Sequence, residues 1–172
     1  MKKFNNKYRI ESTRMQNWDY AWKGSYLITI CSANREYFFG DILDGLMKLS
    51  AIGKIVRYEW LRTFELRPDM NLICGEFVIM PDHFHAIITI GKNQYNRGDL
   101  DTNRCRDAMH CVPTTTTNQN KNQPKNKFGA QSKNLASTVR GFKSAVTKNA
   151  RQIHADFAWQ SGYHDHLIRN DQ

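Results

Sequence analysis

Two histidines separated by one residue are the part of this sequence most able to do chemistry. His83 and His85 flank Phe84 in the segment MPDHFHAIITI. On a β-strand successive side chains point to opposite faces, so both imidazoles would project from one face and Phe84 from the other. Paired imidazoles on an open sheet face can hold a divalent cation. A bare His-x-His is more often a pair of surface histidines, and the spacing alone does not select a metal.

A cation at the two histidines could polarise a phosphodiester and stabilise charge on the leaving oxygen, given a nucleophile and a further ligand. For magnesium or manganese that ligand is usually an oxygen, which Gln160 or Glu76 could supply without sequence support for either. His164 and His166 would also share one face, as structural residues or as DNA contacts.

The charge balance indicates an anionic partner. The chain has 172 residues, and 25 Lys plus Arg against 16 Asp plus Glu give a net charge of +9. Such an excess is typical of nucleic-acid binding, and plain solubility is the alternative. The length excludes a multidomain machine, and 40% hydrophobic residues exclude a wholly disordered chain. The sequence shows no export signal and no membrane-spanning run, which predicts a soluble, cytoplasmic protein with no membrane partner.

The four cysteines give no metal site of their own. Cys31 and Cys74 lie in apolar runs and are predicted to be small buried hydrophobes. Cys105, His110 and Cys111 lie close together in a polar stretch, but their spacing matches no established zinc pattern.

Hydrophobic periodicity predicts the elements that must position the histidines. The predicted strands are 25–31, 71–80, 83–90 and a short one in the final segment FAWQSGYHDHLIRN. Helices are predicted over 46–64, ending before Pro68, and from Ser132 to Ile153. The resulting order is β-α-β-β-insert-α-β, the split βαβ pattern. The predicted fold class is therefore α+β, a ferredoxin-like antiparallel sheet with two helices on one face and the other face free for ligand.

The connecting segments differ in composition. Residues 1–24 are predicted to be an extended lead-in whose aromatics pack on the body, and 34–45 a loop or hairpin with a turn at Gly40–Asp41. Residues 91–132 include the low-complexity run PTTTTNQNKNQPKNK and cannot bury a core. The whole chain, 1–172, is thus predicted to be one domain with a disordered insert at 91–132.

Each predicted helix has an apolar face. In the first helix this face consists of Leu49, Ile52, Val56, Trp60 and Phe64, and in the second of Leu135, Val139, Phe142, Val146, Ala150 and Ile153. The other side of the second helix is basic and carries Lys133, Arg140, Lys143, Lys148 and Arg151. A solvated charged face is the alternative to phosphate contact. Because the stripe contains no acidic residue, Arg140, Lys143 and Lys148 are the predicted DNA contacts.

The segment FVIMPDHFHAIITI contains a His–hydrophobic–His motif, often called HUH. With its flanks it closely resembles the single-tyrosine HUH transposases, in particular the REP-associated tyrosine transposases. The segments YLITICSANREYFFG, GKIVRYEW, STVRGFKSAVTK and WQSGYHDHLIRN are similar as well. The resemblance covers nearly the whole chain apart from the Asn-rich insert.

The resemblance implies a function that composition does not. His83 and His85 would bind Mg²⁺ or Mn²⁺ as Lewis acid and template, and a tyrosine hydroxyl would attack a phosphate of single-stranded DNA. A 5′-phosphotyrosine would form, a 3′-hydroxyl would be released, and rejoining would need no ATP. The basic surface would hold hairpin or single-stranded DNA. Monomer and homodimer both remain open.

One departure from the family concerns the nucleophile. In the family the tyrosine lies on a C-terminal helix after the segment resembling YHDHLIRN, whereas this sequence stops at Asn170-Asp171-Gln172. A truncated chain is the favoured explanation, against a frameshifted remnant or a shorter protein. Tyr163 is the best-placed internal tyrosine to replace the missing nucleophile, although packing at a strand end is the favoured interpretation. The nucleophilic tyrosine, the third metal ligand and the DNA target sequence are not identified. The rival functions are an inactive DNA-binding remnant and a ferredoxin-like RNA binder, which would carry sheet aromatics instead of histidines.

Overall fold

The computed structural model describes residues 18–96 and 132–169, together with a short ladder of strands β1 (Lys3–Phe4) and β2 (Lys7–Tyr8). The longer elements, in chain order, are β3 (Gly24–Cys31), β4 (Gly40–Leu43), β5 (Leu46–Leu49), α1 (Ala51–Glu65), β6 (Leu72–Ile79), β7 (His83–Ile90), α2 (Leu135–Ala150) and β8 (His164–Ile168). Neither α1 nor α2 has the length and apolar run that crossing a bilayer requires, and the described ranges contain no other α-helix.

A four-stranded antiparallel sheet in the order β6–β7–β3–β8 forms the centre of the protein. With α1 between β3 and β6 and α2 between β7 and β8, the chain follows the predicted split βαβ order. The two inner strands are therefore β7, which carries the histidines, and β3. The predicted α+β, ferredoxin-like fold is confirmed.

The core lies on one face of this sheet. Alternation along β3 buries Tyr26, Ile28 and Ile30, while Phe84 and its alternate neighbours on β7 are buried beside them. Both helices cover this face, and the Trp60 ring of α1 contacts Phe84 at 5.1 Å. The opposite face, which we call the open face, carries Leu27, Thr29, His83 and His85 and is the face predicted to be free for ligand.

The first helix begins later than its periodicity predicts. Ser50 caps α1 by accepting a hydrogen bond from the Gly53 amide at 3.0 Å, and the helix buries Ile52, Val56 and Trp60 as expected. The predicted start at residue 46 is wrong, because Leu46–Leu49 is β5, paired with β4. The apolar residues of a short strand fell by chance into the helical spacing that follows.

The hairpin turn also lies elsewhere than predicted. Gly40 begins β4, and the chain reverses at Asp44 and Gly45, whose φ angles are 53° and 74°. A tight two-residue hairpin turn needs positive φ at both central residues, which Asp-Gly tolerates well. The predicted turn at Gly40–Asp41 is therefore wrong by four residues.

The second helix buries its predicted apolar face from Leu135 to Ala150. A capping box between Asn134 and Ser137 fixes its start. The helix ends at Ala150, so Ile153 lies beyond it and is 55% exposed, contrary to the prediction.

Several smaller predictions have clear outcomes. Trp18 packs on the body as predicted, and its indole N–H donates to the Tyr26 hydroxyl at 3.0 Å. Cys31 is buried as predicted, but Cys74 is exposed, because it lies on the edge strand β6 beside an irregularity before Phe77. Most of the predicted insert, residues 97–131, lies outside the described residues, and so do Cys105, His110 and Cys111.

Candidate functional site

The two histidines of β7 stand side by side on the open face. Their ring centroids are 4.7 Å apart with an interplanar angle of 82°. Phe84, between them in sequence, is fully buried on the other face. The strand places His83 and His85 together, as the alternation predicted.

An acidic neighbour, Asp82, binds His83 on its Nδ1 side. Nδ1 of His83 lies 2.5 Å from Oδ1 of Asp82, which is only 8% exposed. Oδ2 of the same carboxylate pairs with Nε of Arg35 at 2.7 Å. A carboxylate at Nδ1 fixes the ring orientation and the tautomer. This arrangement leaves the Nε2 lone pair of His83 available for a cation.

His85 is fixed in a similar way by a neutral partner. Its Nδ1 lies 2.8 Å from Oγ1 of Thr29 on the neighbouring strand. Burial lowers the pKa of His85, and the charges of His83 and Arg35 lower it further. The neutral imidazole that metal ligation requires is therefore favoured near neutral pH.

The donor set fits a divalent cation with two protein ligands. Two neighbouring imidazoles, each anchored through Nδ1, can present Nε2 to one ion. Within residues 18–96 and 132–169, no group of three or more His, Cys, Asp or Glu side chains could complete the coordination. Oxygens of water or substrate suit the remaining coordination positions. Of the two predicted ions, Mn²⁺ suits imidazole nitrogen better than the harder Mg²⁺.

Two further histidines lie on the same open face. In the sheet register Thr29 is opposite His85 on one side and His164 on the other, and Leu27 is opposite His166. Both β8 histidines are exposed. The strand β3 lies between the two pairs, so the structure brings all four histidines to one face without joining them in one cluster.

The other candidates from the sequence lie on β6 and in the segment before β8. Tyr163 packs against the core with its hydroxyl oxygen buried, and strand alternation places it on the face opposite His164 and His166. Glu76 is exposed on the edge strand β6. Gln160 is exposed, and its backbone amide donates to the carbonyl of Cys31 at 2.9 Å.

The basic residues of α2 surround one cleft. Arg140, Lys143 and Lys148 line an open cavity of about 630 Å³ with Arg151 and Trp159, and no carboxylate is among its described lining residues. These three are the predicted DNA contacts, so the structure brings them together. Lys133 does not join them; it precedes α2 and pairs with Asp69.

Lys143 also has a structural task. Its ammonium donates to the backbone carbonyls of Gln160 and Gly162 at 2.8 and 2.7 Å, which ties α2 to the loop before β8. Burial lowers the pKa of Lys143. Arg140, Lys148 and Arg151 are exposed and can reach a ligand directly.

Asp82, Arg35 and Thr29 are the site residues that the sequence analysis missed. The adjacency of Asp82 to His83 was a usable signal, because a carboxylate is a common anchor for a ligating histidine. Thr29 could be found only from the strand register. Arg35 had no signal, since its contact depends on how the chain turns after β3.

No protein-family model matches the chain. An uncharacterized protein of Haemophilus influenzae is 32% identical over 162 residues, which is 94% of this chain and 79% of that protein. The two proteins belong to one family.

Among solved structures, a REP-associated tyrosine transposase bound to a REP hairpin superposes with a TM-score of 0.52 at 16% identity, over 94% of this chain. The chain has the fold of a REP-associated tyrosine transposase. The resemblance predicted from the sequence is thereby confirmed for the fold. This chain spans 64% of the length of the transposase chain.

Proposed function

We propose that the protein is a DNA transposase or endonuclease domain that cuts and rejoins single-stranded DNA at His83 and His85. The observation that carries this proposal is the anchored imidazole pair on the open face of a sheet with the transposase fold. Asp82 and Thr29 fix the two histidines through Nδ1, which leaves Nε2 of each ring to bind a ligand. Surface histidines without a function would not need such fixed orientations.

The cofactor in this proposal is Mn²⁺ or Mg²⁺ held by His83 and His85. When bound there, the ion supplies Lewis-acid stabilisation of charge on a phosphodiester. The protein's own contribution is to orient both imidazoles and to keep that of His85 neutral. Asp82 and Thr29 provide the orientation, and the lowered pKa of His85 provides the protonation state.

The DNA partner is supported by charge and by the structural likeness. The net charge is +9, and Arg140, Lys148 and Arg151 line one cleft of α2. The solved transposase that shares this fold is bound to a REP hairpin. We infer that single-stranded or hairpin DNA contacts both this cleft and the open face.

In this proposal a tyrosine hydroxyl attacks the phosphate and loses its proton. The tyrosine oxygen bonds to phosphorus to give a 5′-phosphotyrosine, while the bond from phosphorus to the 3′-oxygen breaks and releases a protonated 3′-hydroxyl. Tyr163, the internal tyrosine singled out from the sequence, does not supply this hydroxyl, since its own is buried against the core. That observation favours a second candidate, a domain that binds DNA without cutting it. The two candidates share the fold, the charge and the histidines, and differ only in strand cleavage.

The experiment is to incubate the protein with labelled hairpin DNA carrying a single-stranded extension and Mn²⁺, and to resolve the products on a denaturing gel. The enzyme predicts a covalent protein–DNA adduct and a cut strand, both lost in His83→Ala and His85→Ala. Arg57→Ala, an exposed change on α1, is the matched control and should leave both products intact. Binding with no adduct supports the second candidate. Tighter binding of matched RNA without any metal effect would contradict both.

A further inference from the structure

We propose that Arg35 is a phosphate-binding residue that holds the DNA backbone beside His83 and His85. The proposal rests on the proposed function and adds a residue that no sequence pattern indicated. It concerns binding and positioning of a phosphodiester, and assigns Arg35 no part in bond cleavage.

The position of Arg35 is set by two contacts that flank His83. Its Nε pairs with Oδ2 of Asp82 at 2.7 Å, and its Nη1 lies 3.0 Å from Sγ of Cys31. Asp82 anchors His83, and Cys31 is directly opposite His83 in the β3–β7 register. The guanidinium thus lies beside the imidazole pair.

The guanidinium keeps donors for a ligand. An arginine has five N–H donors, and contacts within the described residues engage only Nε and Nη1. The side chain is 58% exposed, in contrast to the 11% of its partner Asp82. A planar fork with free N–H groups matches two oxygens of a phosphodiester. Although Asp82 offsets its charge, Arg35 therefore still has N–H groups that can bind one anionic group.

The backbone around Arg35 is built to hold this position. Asn34 and Arg35 have φ angles of 53° and 60°, a left-handed conformation that costs energy in non-glycine residues. Hydrogen bonding around Ser32 maintains it, since the one hydroxyl hydrogen is shared between the carbonyl oxygens of Glu36 and Asp82, which lie 2.8 and 2.9 Å from Oγ. The Ala33 amide adds a hydrogen bond to the carbonyl of Ala158 at 2.9 Å.

A purely structural ion pair is the competing explanation. Pairing with Arg35 compensates Oδ2 of the nearly buried Asp82, so the ion pair has structural value of its own. That pairing engages Nε alone, whereas a phosphate would engage N–H groups of the exposed guanidinium that the pair leaves unused. The two explanations differ in what happens when one phosphate of the DNA loses its charge.

The test is a double-mutant cycle between Arg35 and individual phosphates. The probe is a labelled hairpin oligonucleotide with a single-stranded extension, in which one phosphate at a time is replaced by a neutral methylphosphonate. Affinity is measured with Mn²⁺ for the wild type, Arg35→Ala, Arg35→Lys and Arg35→Gly. Arg35→Gly relieves the left-handed backbone and so retains the fold if Arg35→Ala does not, which circular dichroism checks. Arg62→Ala, an exposed arginine on α1, is the control.

We expect Arg35→Ala and Arg35→Gly to weaken binding about tenfold or more, as loss of a charge-assisted hydrogen bond does. Arg35→Lys should recover part of the loss. At one phosphate the methylphosphonate should weaken binding by the wild type but not by Arg35→Ala or Arg35→Gly, which shows that the two partners touch. If the Arg35 variants keep wild-type affinity and the wild-type pattern across all phosphates, the proposal is overturned while the proposed function stands. No binding by the wild type overturns both.

Discussion

One carboxylate organises the candidate site at the residue scale. Asp82 is nearly buried, which is costly for a charge unless both oxygens are paired. Oδ1 pairs with His83 and Oδ2 with Arg35, so the same group fixes an imidazole and a guanidinium. His83 as a metal ligand and Arg35 as a hydrogen-bond donor to phosphate would then stay at a fixed distance and orientation.

Replacing this carboxylate should impair the site more than the fold. In Asp82→Ala the His83 ring loses its anchor and Arg35 loses its pairing partner. We expect Mn²⁺ affinity, measured by electron paramagnetic resonance of the free ion, to fall about 10- to 100-fold. Asp41→Ala, an exposed acid on β4, is the control. Unchanged Mn²⁺ affinity in a folded Asp82→Ala protein would show that Asp82 does not position His83.

The sequence made part of this site predictable. The shared face of His83 and His85 follows from strand alternation, which is a local property of the chain. The contact of Thr29 with His85 needs the register of β3 against β7, and Arg35 needs two consecutive positive φ angles that nothing in its residue type encodes. The contacts that depend on long-range strand pairing or on a strained turn could therefore not be predicted from the sequence.

At the scale of elements, the basic residues of α2 are of two kinds. Lys143 makes structural contacts, whereas Arg140 and Lys148 are exposed. Its buried side packs on α1 and the sheet, while its exposed cations line the cleft next to the loop before β8. Lys143 is committed to two carbonyls of that loop. Arg140 and Lys148 are free of such contacts within the described residues, so they are the better candidates for phosphate.

The salt dependence of DNA binding should report this division. Each phosphate contact releases about one counterion, so Arg140→Ala and Lys148→Ala should each reduce the slope of log K against log salt by about 1. The affinity should fall uniformly across DNA sequences, as measured by anisotropy titrations at several salt concentrations. The exposed Arg57→Ala on α1 should leave the slope unchanged. Unchanged slopes in the α2 variants would exclude the cleft from DNA binding.

Two helix glycines give opposite predictions for the same substitution. Alanine is intrinsically favoured over glycine inside a helix by about 1 kcal/mol. At Gly53 of α1 an added Cβ would lie 2.1 Å from the backbone oxygen of Phe39, which cannot move aside easily. At Gly141 of α2 the close atom is Nη2 of Arg67, the end of a flexible side chain.

We therefore expect Gly53→Ala to lower the free energy of unfolding by about 1–3 kcal/mol, as overpacking does. Gly141→Ala should be neutral or stabilising. Urea denaturation of both variants measures the difference. Equal effects of the two substitutions would mean that α1 does not pack tightly against the hairpin of β4 and β5.

The errors of prediction at this scale have one cause. Leu46–Leu49 carries apolar residues that continue into the helical spacing of Ile52 and Val56, so periodicity alone joined a strand to a helix. The Asp44–Gly45 dipeptide was the overlooked signal, because it is a strong hairpin turn between apolar residues. Ile153 was overpredicted for a similar reason, as spacing does not show where a helix ends.

At the scale of the whole molecule, the order of elements was enough to predict the topology. Strands and helices alternate in a way that leaves few antiparallel arrangements. The chain segments on either side of residues 97–131 meet at Asp69, whose Oδ2 accepts hydrogen bonds from Tyr95 at 2.6 Å and from Lys133. These hydrogen bonds keep the pKa of Asp69 below its ordinary value.

Tyr95 and Lys133, on either side of residues 97–131, both donate to Asp69. We therefore expect that a short Gly-Ser linker can replace residues 97–131. Shortening a loop reduces its closure entropy by about 0.6 kcal/mol for each halving of length, so thermal stability should hold or rise slightly. Differential scanning calorimetry and circular dichroism measure this. An unfolded or strongly destabilised variant would show that the segment contributes to the core.

The central claim is that DNA is bound at a divalent cation held by His83 and His85. The most direct measurement is the affinity for a labelled hairpin oligonucleotide with a single-stranded extension, with Mn²⁺ and with chelator. Compared proteins are the wild type and the His83→Ala/His85→Ala double variant. Our account predicts that Mn²⁺ tightens binding by the wild type about tenfold or more and has no effect on the double variant. Equal affinities in both proteins, with and without Mn²⁺, would contradict it.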